Sequence, residues 1–333
     1  MMKKRVTLAD IARETQLSTI TVSRAFTSPN KLNPKTLELI QNVAHKLGYS
    51  PNRAARALKS SKSHTIGIVN PNMSNPFFGN ITKEMVLKCQ QQGYDVLIFD
   101  SYELEEFEEK AIRSLIDHSV DGIIISTIST DLGYKPKYIA ELYAQNIPFV
   151  LLDRELEGNY TGIYIDNMDS GYQLGQHIAQ QHSCSEPIAL IAASPISMVS
   201  NNRLAGFRAA LYQHNLSVHH ADFSMDLAYQ TTRHLLLQHP EHRIFIGLNN
   251  QITLGIIKAV IEQGLRPQQD IQIYSIDDIP YSDVFGLSIP CMTHNLEEMA
   301  FQAVNSLIRL IHGETLTNNK VVIRGSLRSA ATV

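Results

Sequence analysis

From Ser63 onward the chain repeats one unit, a short apolar run followed by a longer stretch of helical periodicity, and that repetition leaves few folds open. The apolar runs cover residues 65–69, 96–99, 122–126, 149–153, 188–192, 244–248 and 271–275. Helical patterns separate them, over 77–92, 105–118, 171–181, 203–215 and 252–263. Apolar strands alternating with helices predict α/β lobes built on parallel sheets covered on both faces. Ligands of such open sheets bind beyond the carboxyl ends of the strands. Those exits read Asn70-Pro71, Asp100-Ser101, Ser126-Thr127, Asp153-Arg154, Ala193-Ser194-Pro195, Asn249-Asn250 and Asp277-Asp278. Taken singly, each exit also reads as a helix cap or loop. Together they suit a cleft that hydrogen-bonds a polyhydroxyl ligand.

The first 62 residues are of another kind. They carry twelve lysines and arginines against three acids, a net of +9, which leaves −12 on the rest of a chain whose total is −3. A basic head on an acidic body calls for a polyanion partner for the head alone. The segment L-A-D-I-A-R-E-T, with Leu8, Ile11 and Ala12 on one face, predicts a helix capped by Thr7 and close to a capping box at Asp10. After a turn at Gln16-Leu17, S-T-I-T-V-S-R-A-F predicts a second helix with Val22 and Phe26 inward. A third, over 34–47, follows a cap at Asn33, buries Leu37, Ile40, Val43, Ala44 and Leu47, and stops at Gly48. The pattern is an all-α helix-turn-helix head, with Thr19, Ile20, Ser23 and Arg24 facing outward to phosphates and base edges. The same helical pair also suits an ordinary packing unit.

Between head and body lies S-P-N-R-A-A-R-A-L-K-S-S-K, residues 50–62. Ser50 and Pro51 suit a helix start, and Arg53, Arg56 and Lys59 form a basic stripe. Two or three turns with one leucine are too few to stand alone in water. The stretch is either a helix completed by an anionic surface or a solvated linker.

Cys89, Cys184 and Cys291 are odd in number and far apart, which predicts small buried hydrophobes in a reducing cytoplasm and neither a disulfide framework nor a metal site. No apolar run approaches the ~20 residues of a membrane span, and the N-terminus lacks a signal-peptide core, so a cytoplasmic protein is expected. Phosphate-binding loops, nucleophile elbows and zinc-protease motifs are missing, so the chain is not expected to be an enzyme or to need a cofactor. The acidic run 103–109 reads as a solvated helix start, and His219-His220 as surface loop.

V-T-L-A-D-I-A, T-V-S-R and L-G-Y-S-P-N-R-A-A-R-A-L closely resemble the head and hinge of the lac repressor/galactose repressor family of bacterial transcription regulators. The resemblance continues through N-P-F-F, V-D-G-I-I-I-S, L-L-D-R, Y-I-D-N, R-L-A-G-F and Y-S-I-D-D, landmarks of a periplasmic-binding-protein-like core. It implies a head over 1–49 and a hinge over 50–62. It also implies one core lobe over 63–165 plus 296–320, and another over 166–292 plus 321–333. By position, Thr7, Ser18, Thr21, Ser23, Lys31 and Asn52 would touch the DNA backbone, and Thr19, Ile20 and Arg24 would read bases. Leu58, flanked by Ala57 and Lys59 on the DNA, would wedge into a minor-groove step.

Around the effector the resemblance places Asn75, Phe77, Asp153, Arg203, Asn249, Asp277 and Asn295, with Arg154 and Ser197 nearby. A-S-P-I-S-M-V-S-N-N-R-L-A-G-F and L-L-D-R-E-L look most like the sucrose and fructose repressors of the family, while Asn250 and Ser275 depart from its usual Asp and Gly. The expected protein is a homodimeric repressor of carbohydrate-use genes on a pseudo-palindromic operator, controlled by a sugar or sugar phosphate held between the lobes. The absence of leucine heptads before Val333 favours the dimer over a tetramer. Two alternatives stay open: a solute-binding protein without a DNA-reading role, and a regulator that answers to a nucleobase.

Overall fold

The computed structural model describes residues 6–49, 62–131 and 133–329. The chain divides into two compact units, Met1–Ser63 and His64–Val333.

In the first unit, α1 (Leu8–Thr15) opens on a complete capping box. Thr7 N donates to Asp10 Oδ2 at 2.9 Å, and Asp10 N returns a bond to Thr7 Oγ1 at 3.4 Å. Gln16, at φ 54°, turns the chain, and Ser18 caps α2 (Thr19–Thr27) by accepting from Thr21 N at 3.1 Å. A 3-10 turn over Pro29–Lys31 leads to α3 (Pro34–Leu47), which Asn33 caps and Gly48 ends at φ 68°, a conformation that favours glycine. Ile11, Val22 and Ile40 are fully buried and draw in Phe26, Leu37 and Leu47. Each such side chain contributes roughly 1.5–3 kcal/mol by leaving water. The inward and outward faces agree with the periodicity of the sequence.

The second unit holds two six-stranded sheets. The first lobe comprises β1 (Thr65–Asn70), α4 (Pro76–Gln91), β2 (Asp95–Asp100), α5 (Glu105–Asp117), β3 (Gly122–Ile125), α6 (Tyr138–Ala144), β4 (Phe149–Leu152) and β5 (Gly162–Ile165). The chain then crosses to α7 (Asn167–Gln181), β6 (Ile188–Ala192), α8 (Met198–Ala210), β7 (Leu216–His220), α9 (Met225–Gln238), β8 (Ile244–Gly247), α10 (Asn250–Glu262), β9 (Gln272–Ile276) and β10 (Cys291–Thr293). It returns for α11 (Leu296–Ile311) and β11 (Lys320–Ile323), and ends on β12 (Ser326–Arg328). The sheet orders are β11-β5-β4-β3-β1-β2 and β12-β10-β9-β8-β6-β7. Both share the sequence second, first, third, fourth, fifth, which places a switch point beside the first strand of each lobe. Ile66, Ile68, Ile124 and Val150 anchor one core, and Leu190, Ile246, Ile273 and Phe207 the other.

Three expectations are corrected. The last crossing falls after β11 and not before residue 321, because the apolar strand 320–323 pairs in parallel with β5 of the first lobe. β12 alone belongs to the second lobe, where it runs antiparallel to β10. His219-His220 is no surface loop: it ends strand β7, parallel to β6 along its full length. Cys89 and Cys291 are buried as expected, but Cys184 is exposed.

Candidate functional site

The carboxyl ends of both sheets face one cleft. Its inner cavity, about 40 Å³, is lined by Asn72, Asn75, Phe77, Phe78, Glu103, Thr130, Asp153, Arg154, Val199, Arg203, Phe223, Asn249, Gln251 and Asp277. A second cavity of about 740 Å³ shares six of these residues and adds Asp131, Ser194, Ile196, Ser197 and Leu227, among others. Among the described residues, the lobes hydrogen-bond across the cleft at two places. Asn250 Nδ2 donates to Asn75 Oδ1 at 3.0 Å. Thr130 Oγ1 donates to Ser197 Oγ at 2.8 Å, and Met198 N to the Thr130 carbonyl at 2.9 Å.

Two aspartates define the inner cavity. Asp153 leaves β4 at φ 65° and Asp277 leaves β9 at φ 69°. The positions are equivalent in the two lobes, and both residues hold the left-handed backbone that a non-glycine residue adopts at a cost. Asp153 Oδ1 is buried without a hydrogen-bond partner among the described residues, whereas Asp277 Oδ1 has His294 Nε2 at 3.2 Å. Their surroundings also differ. Burial pushes Asp153 above its ordinary range, with Arg154 and Arg203 pulling back. Burial also acts against Asp277, but Arg203 and His294 outweigh it and hold that carboxyl below its ordinary range.

Arg203 is set by backbone contact between two helices. A Cβ on Gly171 would lie 2.1 Å from the Arg203 carbonyl, and one on Gly206 2.1 Å from the Met168 carbonyl. Glycine at both positions lets α7 and α8 touch, and the guanidinium is drawn in to 4 % exposure. There its Nε donates to Asn167 Oδ1 at 2.7 Å and its Nη1 to the Leu248 carbonyl at 2.6 Å, with Asp277 Oδ2 at 3.8 Å.

Arg154 has more structural work than the sequence suggested. Its Nη1 donates to the Thr127 and Ile128 carbonyls at 2.8 and 2.6 Å, its Nη2 lies 3.6 Å from Glu103 Oε1, and its guanidinium carbon sits 5.4 Å from the centre of the Phe78 ring. Behind it, Glu108 is fully buried. Glu108 accepts from Tyr134 OH at 2.7 Å, Tyr138 OH at 2.8 Å and Ile128 N at 2.5 Å. The acidic run is therefore not simply a solvated helix start: one of its carboxylates anchors the loop that carries Thr130.

The remaining candidates divide. Phe77 lines the cavity, its ring edge-on to Phe78 at 5.1 Å. Asn249 lines it too; its Oδ1 caps α10 by accepting from Ile252 N at 2.9 Å, and its amide N–H is left to offer a ligand. Asn75 is similar, with Oδ1 taken by Phe77 N and Asn250. Ser197 lines the outer cavity and caps α8. Asn295 lines neither: it is exposed and caps α11 by accepting from Glu298 N at 3.0 Å.

Its neighbour His294 was not anticipated. That side chain is 2 % exposed, with Nε2 3.2 Å from Asp277 Oδ1. Phe223 and Gln251 were also missed. Gln251 directly follows the Asn249-Asn250 exit that marked this cleft, whereas Phe223 follows a strand whose L-S-V-H-H sequence hid it.

In the first unit, Thr7, Ser18, Thr19, Ile20, Arg24 and Lys31 are exposed, while Thr21 and Ser23 are half-buried. Ile20, 65 % exposed, stands one helical turn from Arg24 on the outer face of α2. Thr7 and Ser18 spend their hydroxyls as helix caps. Asn52, Ala57, Leu58 and Lys59 lie outside the described residues.

A family model described as "Periplasmic binding proteins and sugar binding domain of LacI family" matches residues 63–321, and one described as "Bacterial regulatory proteins, lacI family" matches residues 7–52. The chain is 28 % identical to the ribose operon repressor of Halalkalibacterium halodurans, over 93 % of this chain and 92 % of the relative. It is 25 % identical to the HTH-type transcriptional repressor CytR of Escherichia coli, over 97 % and 96 %. Among solved structures, a lac repressor dimer bound to operator and the anti-inducer ONPF superposes with a TM-score of 0.84 at 24 % identity, covering 98 % of each chain. The Cra transcriptional dual regulator of Pseudomonas putida in complex with fructose 1-phosphate gives 0.72 at 19 %, over 81 % of this chain and 99 % of that one. At those identities the two structures speak to the fold.

Proposed function

The chain belongs to the LacI family of bacterial regulatory proteins, DNA-binding transcriptional regulators with an effector-binding core, and from that premise we propose that it represses carbohydrate-use genes under the control of a sugar. Two copies of the chain bind a pseudo-palindromic operator, one helix-turn-helix per half-site, in the cytoplasm. Thr19, Ile20 and Arg24 read bases. An arginine suits guanine, and an exposed isoleucine suits a thymine methyl. Thr7, Ser18, Thr21, Ser23 and Lys31 hold the backbone, and residues 50–62, with Leu58 as wedge, complete the contact.

Asp153, Asp277, Asn249, Arg203 and Phe77 bind the effector, and the protein acts by binding, not by catalysis. The effector shifts the equilibrium between open and closed clefts by binding one better than the other, and DNA affinity shifts with it. The observation that carries the sugar reading is the buried Asp153 Oδ1, unpartnered among the described residues, which lines the interlobe cavity with the Asp277 carboxylate and an aromatic ring. Hydroxyl donors satisfy such acceptors, and a site built to bind hydroxyls discriminates strongly against ligands that lack them. A nucleobase would instead ask for a stacking pair and few acceptors.

The test is a thermal-shift panel of sugars, purines and nucleosides on the full chain, followed by DNA binding with each hit. A sugar should raise the melting temperature through preferential binding to the folded state, and Asp277→Ala should abolish that shift while DNA binding persists. Stabilisation by purines alone, or a sugar response that survives Asp277→Ala, contradicts the assignment.

A further inference from the structure

We propose that the effector is an uncharged polyhydroxylated molecule, and that anionic counterparts such as sugar phosphates and uronates are rejected. This deepens the sugar reading above and rests on it. The first observation is a charge count. Arg154 and Arg203 are the cations lining the inner cavity, and Glu103, Asp153 and Asp277 line it with them. Three carboxylates against two guanidinium groups leave no positive excess, and protonation of Asp153, the direction in which burial pushes it, brings the cavity only to neutrality.

The second observation concerns where the donors point. Arg154 Nη1 is given to two backbone carbonyls and its Nη2 faces Glu103, while Arg203 spends Nε and Nη1 on Asn167 and Leu248. A phosphate site needs forks that are free to close on it. The other usual anion receptor, a helix N-terminus, is also compromised here. At three helices that begin at the cleft one backbone N–H is taken by the helix's own cap: Phe77 N by Asn75, Ser200 N by Ser197 and Ile252 N by Asn249.

The third observation is the acceptor side. Asp153 and Asp277 are each 9 % exposed; Asp153 keeps a buried Oδ1 without a hydrogen-bond partner among the described residues, while Asp277 Oδ1 has His294 Nε2 at 3.2 Å. A buried acceptor left unpaired is costly. A ligand rich in O–H groups relieves the Asp153 oxygen, whereas a phosphate or carboxylate brings further acceptors. Glu103 is the group to change, because it sits on Arg154 from the cavity side and is 45 % exposed.

The experiment titrates the full chain with matched pairs: glucose and glucose 6-phosphate, fructose and fructose 1-phosphate, ribose and ribose 5-phosphate, galactose and galacturonate. At least one neutral sugar should bind, and its anionic partner should bind roughly a hundredfold more weakly, as expected for a negative charge facing uncompensated carboxylate at short range. Glu103→Gln should narrow that ratio about tenfold. An anionic partner that binds as tightly as its neutral sugar, or a ratio unmoved by Glu103→Gln, overturns the charge argument while leaving the sugar reading intact. Binding of nucleosides or purines with no response to any sugar overturns the sugar reading itself, and this inference with it.

Discussion

Glu108→Ala should destabilise the core by about 3–5 kcal/mol, the range for breaking a buried, hydrogen-bonded charge network. The substitution strips three buried donors of their acceptor: Tyr134 OH, Tyr138 OH and Ile128 N. Bonds to a charged group are worth roughly 1.5–3 kcal/mol each. Their full sum is not realised, because burial holds the Glu108 carboxyl above its ordinary range in spite of all three donors. Removing the charge therefore returns part of the loss. The sign of that shift matters for pH. A carboxyl raised in the folded state contributes stability below its unfolded value near 4.5 and loses it as pH rises through the folded value. At neutral pH the donors must carry the network. Glu108→Gln separates the two effects: its amide oxygen still serves the tyrosines, but its NH₂ meets Ile128 N donor to donor, so the cost should be about 1–2 kcal/mol. Urea unfolding followed by far-UV circular dichroism measures both, with the transition of the larger unit fitted separately. Glu108→Ala within 1 kcal/mol of the parent, or Glu108→Gln as damaging as alanine, would refute the reasoning.

Other expectations follow from the same contacts. Gly206→Ala should force α7 and α8 apart, because its Cβ would lie 2.1 Å from the Met168 carbonyl; sugar affinity should fall at least tenfold through displaced Arg203, as titration calorimetry would reveal. Lys31→Ala should weaken all DNA about equally and lower the salt slope by about one, whereas Arg24→Ala should relax preference at one base pair at about 1–3 kcal/mol; equal losses on every sequence would remove Arg24 from base reading. His177 and His219 are both held below the ordinary histidine value of 6.5, by burial first and neighbouring histidines second. The unfolded chain therefore takes up those protons first, and stability should decline as pH falls from about 6.5 towards the depressed values. Replacing both with glutamine should flatten that part of a stability–pH curve, and an unchanged curve would exclude them as its cause.

The strands that announced themselves in the sequence were the continuous apolar ones, because a strand buried on both faces needs no alternation. β7 escaped notice because L-S-V-H-H sits at a sheet edge, with intermediate burial and a polar end. β5, β10, β11 and β12 have three or four residues each, too few for periodicity to register. The course of β11 could not be read locally either, since V-V-I suits a strand in either lobe and only pairing with β5 decides between them. In the cleft, the strand exits led to Asp153, Asn249 and Asp277 and the family resemblance to Arg203, but polarity at an exit does not say which atoms are already spent. Asn249 and Asn75 give their oxygens to helix caps, and Asn295 caps a helix outside the cavity. His294 and Glu108 were hidden for a related reason. A histidine or glutamate in a polar stretch looks solvated until the tertiary fold closes over it, and here burial is almost complete.

If the cleft gates DNA binding, salt and effector must both move it. The most direct measurement takes fragments of the protein's own genome that it retains, and follows their binding by fluorescence anisotropy between about 50 and 200 mM salt, with and without a sugar that stabilises the fold. The retained fragments should share a pseudo-palindrome with half-sites about one helical turn apart, or a multiple of it. Affinity should fall by roughly 10³-fold or more across that salt range, and the sugar should shift it at constant salt. Fragments without a common sequence, or binding indifferent to both salt and sugar, would contradict it.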